Sequence, residues 1–151
     1  MSETTDPRHV SRAIALQQLF TLQIFSQVVP GAASYPVADL LSELEVEDYD
    51  AELSEKIIAG VQGSTGQIDA TISKLAPTWP ISQIAPVDLL ILRIAIWEAF
   101  VSKLTPAKVA INEAIELAKE FGGANSASFV NGVLGNLVTD ENLKQELVHV
   151  D

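Results

Sequence analysis

Cysteine is absent from this chain of 151 residues, which excludes disulfides and thiolate-held zinc or iron–sulfur centres. Histidine occurs twice, as His9 and His149 at opposite ends. Neither stands in a motif that would support serine–histidine catalysis, and so separated a pair does not build a metal site. No cofactor and no metal are expected. Cations are scarce as well: nine Lys and Arg face twenty Asp and Glu, a net charge of −11 at pH 7. Binding of nucleic acid driven by many phosphate contacts is therefore not expected. Long apolar runs are also missing. The most apolar segment, Val87–Val101, is too short to span a bilayer comfortably and carries Asp88, Arg93 and Glu98. The start of the chain, with Arg8, His9 and Arg12 ahead of a glutamine-interrupted pattern, does not resemble a secretory leader. These absences predict a soluble cytoplasmic protein without a membrane partner.

Catalytic motifs are lacking too. Gly122-Gly123 has neither the preceding strand nor the lysine–serine/threonine pair of a phosphate loop. Glu113 and Glu116 share a helix face beside Lys119 and read as solvated charges. The acidic cluster lacks the ordered spacing of a calcium loop. The chain does not read as an enzyme.

What is present is nearly half apolar residues, 48%, in patterns of helical period. Pro7–Val28 reads as a helix apolar on many sides, with Ala13, Ile14, Leu16, Leu19, Phe20, Leu22, Ile24 and Phe25 spread around it, which suits the centre of a bundle. Its Arg8 and Arg12, one turn apart with His9 nearby, oppose the helix dipole. A loop over 29–36 leads to a short acidic helix at 37–45 and another helix at 50–62. Gly60, Gly63 and Gly66 predict a break near 62–66, before a further helix carrying Ile68, Ile72 and Leu75. Trp79, among prolines 77, 80 and 86, is expected to plug the core, and a nearly all-apolar helix should run from Pro86 to about Lys103. No strand alternation competes. The expected fold is all-α, about seven helices in two packed bundles. One domain should cover 1–140, with subdomains roughly 7–63 and 64–140, followed by an acidic tail at 141–151. The charge is concentrated: residues 39–56 carry −7 and 140–151 carry −3, leaving −1 for the remainder. A nearly neutral surface can thus meet RNA away from the acidic segments.

The richest stretch is Thr105–Val138, TPAKVAINEAIELAKEFGGANSASFVNGVLGNLV. At 100° per residue, Lys108, Asn112, Glu113, Glu116, Lys119 and Glu120 fall on one arc. Ala110, Ile111, Ala114, Ile115, Leu117, Ala118 and Phe121 fall on the other, and Val109 strays. Thr105-Pro106 reads as an N-terminal cap and first-turn proline. Gly122-Gly123 reads as a left-handed C-cap, with Asn125 or Ser126 capping the next helix. In that helix Ala127, Val130, Val133, Leu134, Leu137 and Val138 form a core face, and Phe129 lies outside it beside Asn125, Gly132 and Asn136. Such a ring either packs sideways on another helix or offers a face for stacking a nucleobase.

The strings P-x-x-V-A-I-N-E-A-I-E-L-A-K-x-F-G and S-x-x-F-V-N-G-V-L in this stretch resemble the signature of the NusB family of bacterial transcription antitermination factors. The resemblance extends to Trp79-Pro80, to L-L-I-L-R-I-A-I-W-E at 89–98 and to R-x-x-x-R-x-x-A-L-Q-Q-L-F at 8–20. It implies a small all-α protein that binds boxA RNA of ribosomal RNA leader transcripts. Its partner would be NusE, a ribosomal protein of the small subunit, within the RNA polymerase antitermination complex. The family's RNA contacts, carried over by position, fall on Arg8, His9 and Arg12 and on Phe121, Gly122, Asn125, Ser126 and Phe129. Two departures stand out. Only Arg8, His9 and Arg12 replace the usual run of consecutive cations, and Asn125 stands where an acidic residue is common. A neutral amide there removes a repulsive charge near phosphates and both donates and accepts hydrogen bonds.

Two other readings stay open. One is a helical protein–protein module whose RNA binding is weak or lost, which the acidic balance favours. The other is the RNA-binding appendage of an rRNA cytosine methyltransferase, without the enzyme itself, since the chain shows no βαβ pattern. The acidic segment 39–55 is a candidate docking surface for a basic partner. Self-association through the apolar surface that would otherwise meet NusE also stays open.

Overall fold

A 3.6-residue apolar period runs through nearly every segment, and helices are what it produces. The computed structural model describes residues 6–28, 49–78 and 80–148. Among these it contains six α-helices: α1 (Pro7–Val28), α2 (Ala51–Leu75), α3 (Pro86–Ile96), α4 (Ala107–Phe121), α5 (Ser126–Thr139) and α6 (Glu141–Val148). A 3₁₀ turn, Ile81–Gln83, precedes α3 and a π turn, Trp97–Val101, follows it. The fold is all-α. Trp79, the 37–45 helix and most of the acidic stretch lie outside the described residues. The Cα trace divides into two units, 1–59 and 60–151.

In the first unit, Asp6 starts α1. Its Oδ1 accepts the Arg8 N–H at 2.9 Å, and its carbonyl accepts those of His9 and Val10 at 2.9 and 3.2 Å. The carboxylate offsets the cations that this helix places in its first turn. Ile14, Ala15, Leu16, Leu19 and Leu22 are buried. Ile24 and Phe25, expected among the buried residues, are instead 44% and 49% exposed. Serines join the start of α2 to α1. Ser54 Oγ donates to the Ser11 carbonyl at 2.8 Å, and the Asp50 N–H donates to Ser11 Oγ at 2.7 Å. Asp50 Oδ1 accepts from the Leu53 N–H at 3.1 Å, capping α2.

The break expected near 62–66 does not occur, and α2 runs unbroken for 25 residues. A glycine in a helix costs about 1 kcal/mol relative to alanine, and three of them lie here. The stripe Leu53, Ile57, Ile58, Val61, Ile68 and Ile72 is buried along the whole length, however. Burying one such side chain contributes about 1.5–3 kcal/mol, so the stripe outweighs the glycines.

In the second unit, α3 is apolar nearly all round, with Leu89, Leu90, Ile91, Leu92, Ile94, Ala95 and Ile96 buried. Arg93 holds it to α2 through a two-pronged pair with Asp69, Nε to Oδ1 at 2.9 Å and Nη2 to Oδ2 at 2.8 Å. The helix expected to reach Lys103 changes winding at Trp97. The Ser102 N–H donates to the Trp97 carbonyl at 2.8 Å, and Ser102 Oγ donates to the same oxygen at 2.9 Å. Lys103, at φ 56°, turns the chain away. Thr105 does not cap α4. Its Oγ1 donates to Glu98 Oε1 at 2.8 Å and its N–H to the Glu98 carbonyl at 3.1 Å, so Pro106 takes the cap position without a side-chain bond. Glu98 is 1% exposed, and a buried carboxylate requires such a donor. Residues 141–148, set apart in the sequence for their charge, form α6 with Leu143 and Leu147 buried.

Candidate nucleic-acid interface

The link between α4 and α5 is built around two glycines and a serine. Gly122 has φ −94° and ψ −170°, extended backbone rather than the left-handed cap expected. What the position demands is the absence of a side chain. A Cβ on Gly122 would collide with Ser126 Oγ and lie 2.8 Å from the Ala118 carbonyl. Ser126 is buried and its Oγ accepts the Gly123 N–H at 2.8 Å. The serine therefore closes the turn, and neither it nor Asn125 caps α5 with a side-chain bond. Asn125 is exposed, at φ −106° and ψ 3°.

On α5, Val130, Val133, Leu134 and Leu137 are buried. Phe129 lies off that stripe and is half-buried, as its angular position predicts. Phe129 lines a cavity of about 430 Å³ together with Asn125, Ser126, Gly123, Ile84 just before α3 and Asp88 in its first turn. The cavity is of ligand-binding size. Of the residues singled out from sequence, this geometry brings together Asn125, Ser126 and Phe129. Phe121 stands at the end of α4, 36% exposed, and Gly122 lies beside the cavity as a packing requirement.

In the first unit the three N-terminal residues are not equivalent. Arg8 is exposed and His9 is half-buried. Arg12 is 4% exposed, and both His9 and Arg12 are engaged in interactions within the protein. Arg12 is thus a buried group of α1.

Residues 9–139 match the model of the NusB family. The chain belongs to the NusB family. It is 41% identical over 138 residues to the transcription antitermination protein NusB of Roseiflexus castenholzii, covering 87% of this chain and 92% of that one. The corresponding protein of Clostridium acetobutylicum is 37% identical over 137 residues, covering 91% and 98%. Among solved structures, T. maritima NusB superposes with a TM-score of 0.73 at 29% identity, covering 95% of this chain and 98% of that one. A crystal structure of antitermination factors NusB and NusE in complex with dsRNA matches with a TM-score of 0.70 at 20% identity, covering 89% and 97%. That last likeness shows the fold.

The NusB family is non-enzymatic. No helix among the described residues is long and apolar enough to cross a membrane. Sequence reasoning missed Asp88 as a site residue and counted it only as a charge that interrupts an apolar segment. The available signal was its position, third in a helix that starts Pro86-Val87 and is otherwise apolar save for Arg93.

Proposed function

We propose that this protein is a transcription antitermination factor that binds boxA-type single-stranded RNA of ribosomal RNA leader transcripts together with NusE. In this reading it acts in the cytoplasm within the RNA polymerase antitermination complex. The observation that carries the reading is the half-buried Phe129 ring, which forms a wall of an open cavity next to the exposed Asn125 amide. An aromatic face beside a hydrogen-bonding amide is what an unstacked base requires. Arg8, exposed at the start of α1, supplies a phosphate contact, with His9 at the margin. Arg12 lies one turn further along α1 and is the third basic residue of this group. Phe121 and the Gly122 turn set the rim of the site. NusE supplies further contact to the RNA, which fits a chain with so few cations.

Fluorescence anisotropy with a labelled boxA oligonucleotide, with and without NusE, tests this. Phe129→Ala should weaken binding by about 5- to 100-fold, the worth of one stacked base, while circular dichroism shows the helices retained. Unchanged affinity in that variant, or affinity indifferent to NusE, would count against the reading.

A further inference from the structure

Asp88 faces the same cavity and remains unexplained by the fold. It is 9% exposed, and its Oδ1 is sealed from water with no hydrogen-bond partner. Buried polar groups are almost always satisfied, and an orphan needs a reason. Its place in the first turn of α3 gives the carboxylate a favourable dipole but no donor. No cluster of three or more metal-ligating groups occurs among the described residues, so a metal site does not account for it.

We propose that Asp88 reads a base stacked on Phe129, and that the base is guanine. The inference rests on the RNA-binding reading above. A carboxylate accepts through both oxygens and donates through neither. Guanine presents two adjacent donors on its Watson–Crick edge, N1–H and the 2-amino group. Adenine and cytosine each place a ring acceptor beside their amino group, and uracil flanks its single N–H with two carbonyls. Against each of these three, at least one carboxylate oxygen meets a lone pair. The carboxylate turns readily about its last torsion, which is broad for aspartate, so both oxygens can face the edge of the base. With the ring of Phe129 on one wall and Asp88 on another, the cavity supplies a stacking face and an edge reader. Unpaired bases are recognised by that pair of contacts in general.

The test uses the full chain and uridine nonamers with one central residue: guanosine, adenosine, cytidine, uridine or inosine, which lacks the 2-amino group. Binding is read by anisotropy at low salt. The guanosine nonamer should bind about 10- to 100-fold tighter than the adenosine one, the range of a good two-bond base contact. Inosine should lose about three- to tenfold of that advantage, as expected for one lost hydrogen bond. In D88N the guanosine-to-adenosine ratio should fall to within about twofold, because the amide turns a donor toward guanine's donors. D88A should also abolish the ratio, and a cooperative melting transition in either variant shows that it folds. Equal binding of guanosine and adenosine nonamers by the unmodified chain overturns the inference, as does a D88N protein that keeps the preference. If Phe129→Ala weakens all nonamers but base preference is absent, RNA binding stands and the role of Asp88 falls. If no nonamer binds, with or without NusE, both fall.

Discussion

Glycine at 122 and threonine at 105 bracket α4, and each does something other than the end-capping its residue type suggests. Gly122 admits the Ser126 side chain, so Gly122→Ala should destabilise the protein by about 1–3 kcal/mol, the usual range for overpacking. Gly123→Ala, where a Cβ meets nothing within 4 Å, should stay within about 0.5 kcal/mol. Urea denaturation of the two variants side by side measures the difference, and equal midpoints would refute the packing argument. Thr105→Val keeps the shape but strips the donor from Glu98 Oε1. It should cost about 1–3 kcal/mol, read as a lowered thermal midpoint. The angular position of Phe129 was legible in the sequence, because its distance from the core stripe follows from 100° per residue alone. The role of Ser126 was not, since its partner is a backbone N–H brought close by the turn itself.

At the scale of elements, α2 and α3 show what periodicity reveals and what it hides. The starts of α1, α3 and α4 were readable from proline and the apolar stripe. The continuity of α2 through three glycines was not, because helix propensity is local and the burial that overrides it is not. This yields a graded expectation for α2. Gly63→Ala and Gly66→Ala each place a Cβ in open space on a helix, and each should stabilise by about 0.4–1 kcal/mol. Gly60→Ala would drive its Cβ into the Trp97 indole and should destabilise. Chemical denaturation of the three single variants checks both signs. Trp97 also begins the π turn that ends α3, a change of winding that no residue pattern announces.

For the whole molecule, charge limits what the proposed RNA binding can draw on. Lys56, Lys74, Arg93, Lys119 and Lys144 each lie within 3.5 Å of a carboxylate of the protein, and Arg12 is buried. Few cations are left for phosphates. The logarithm of RNA affinity for the chain alone should therefore fall against the logarithm of salt concentration with a slope no steeper than about −2, corresponding to about three contacts on a single strand. Titrations at several potassium chloride concentrations measure it. A slope steeper than about −5 would mean that the ion pairs open to serve the RNA. Adding the basic partner should steepen the slope, since its cations then join the contact.

Composition and period determined by themselves that this chain is helical, where most helices lie, and that Phe129 sits at the edge of the core. These properties depend on residues a few positions apart, and neighbouring residues carry that information. Only the tertiary structure decided that Arg12 is buried, that Gly122 makes room for Ser126, and that Asp88 shares a cavity with a ring forty-one positions away. Which side chains meet across such distances is set by how the helices pack, and packing is a property of the folded chain as a whole.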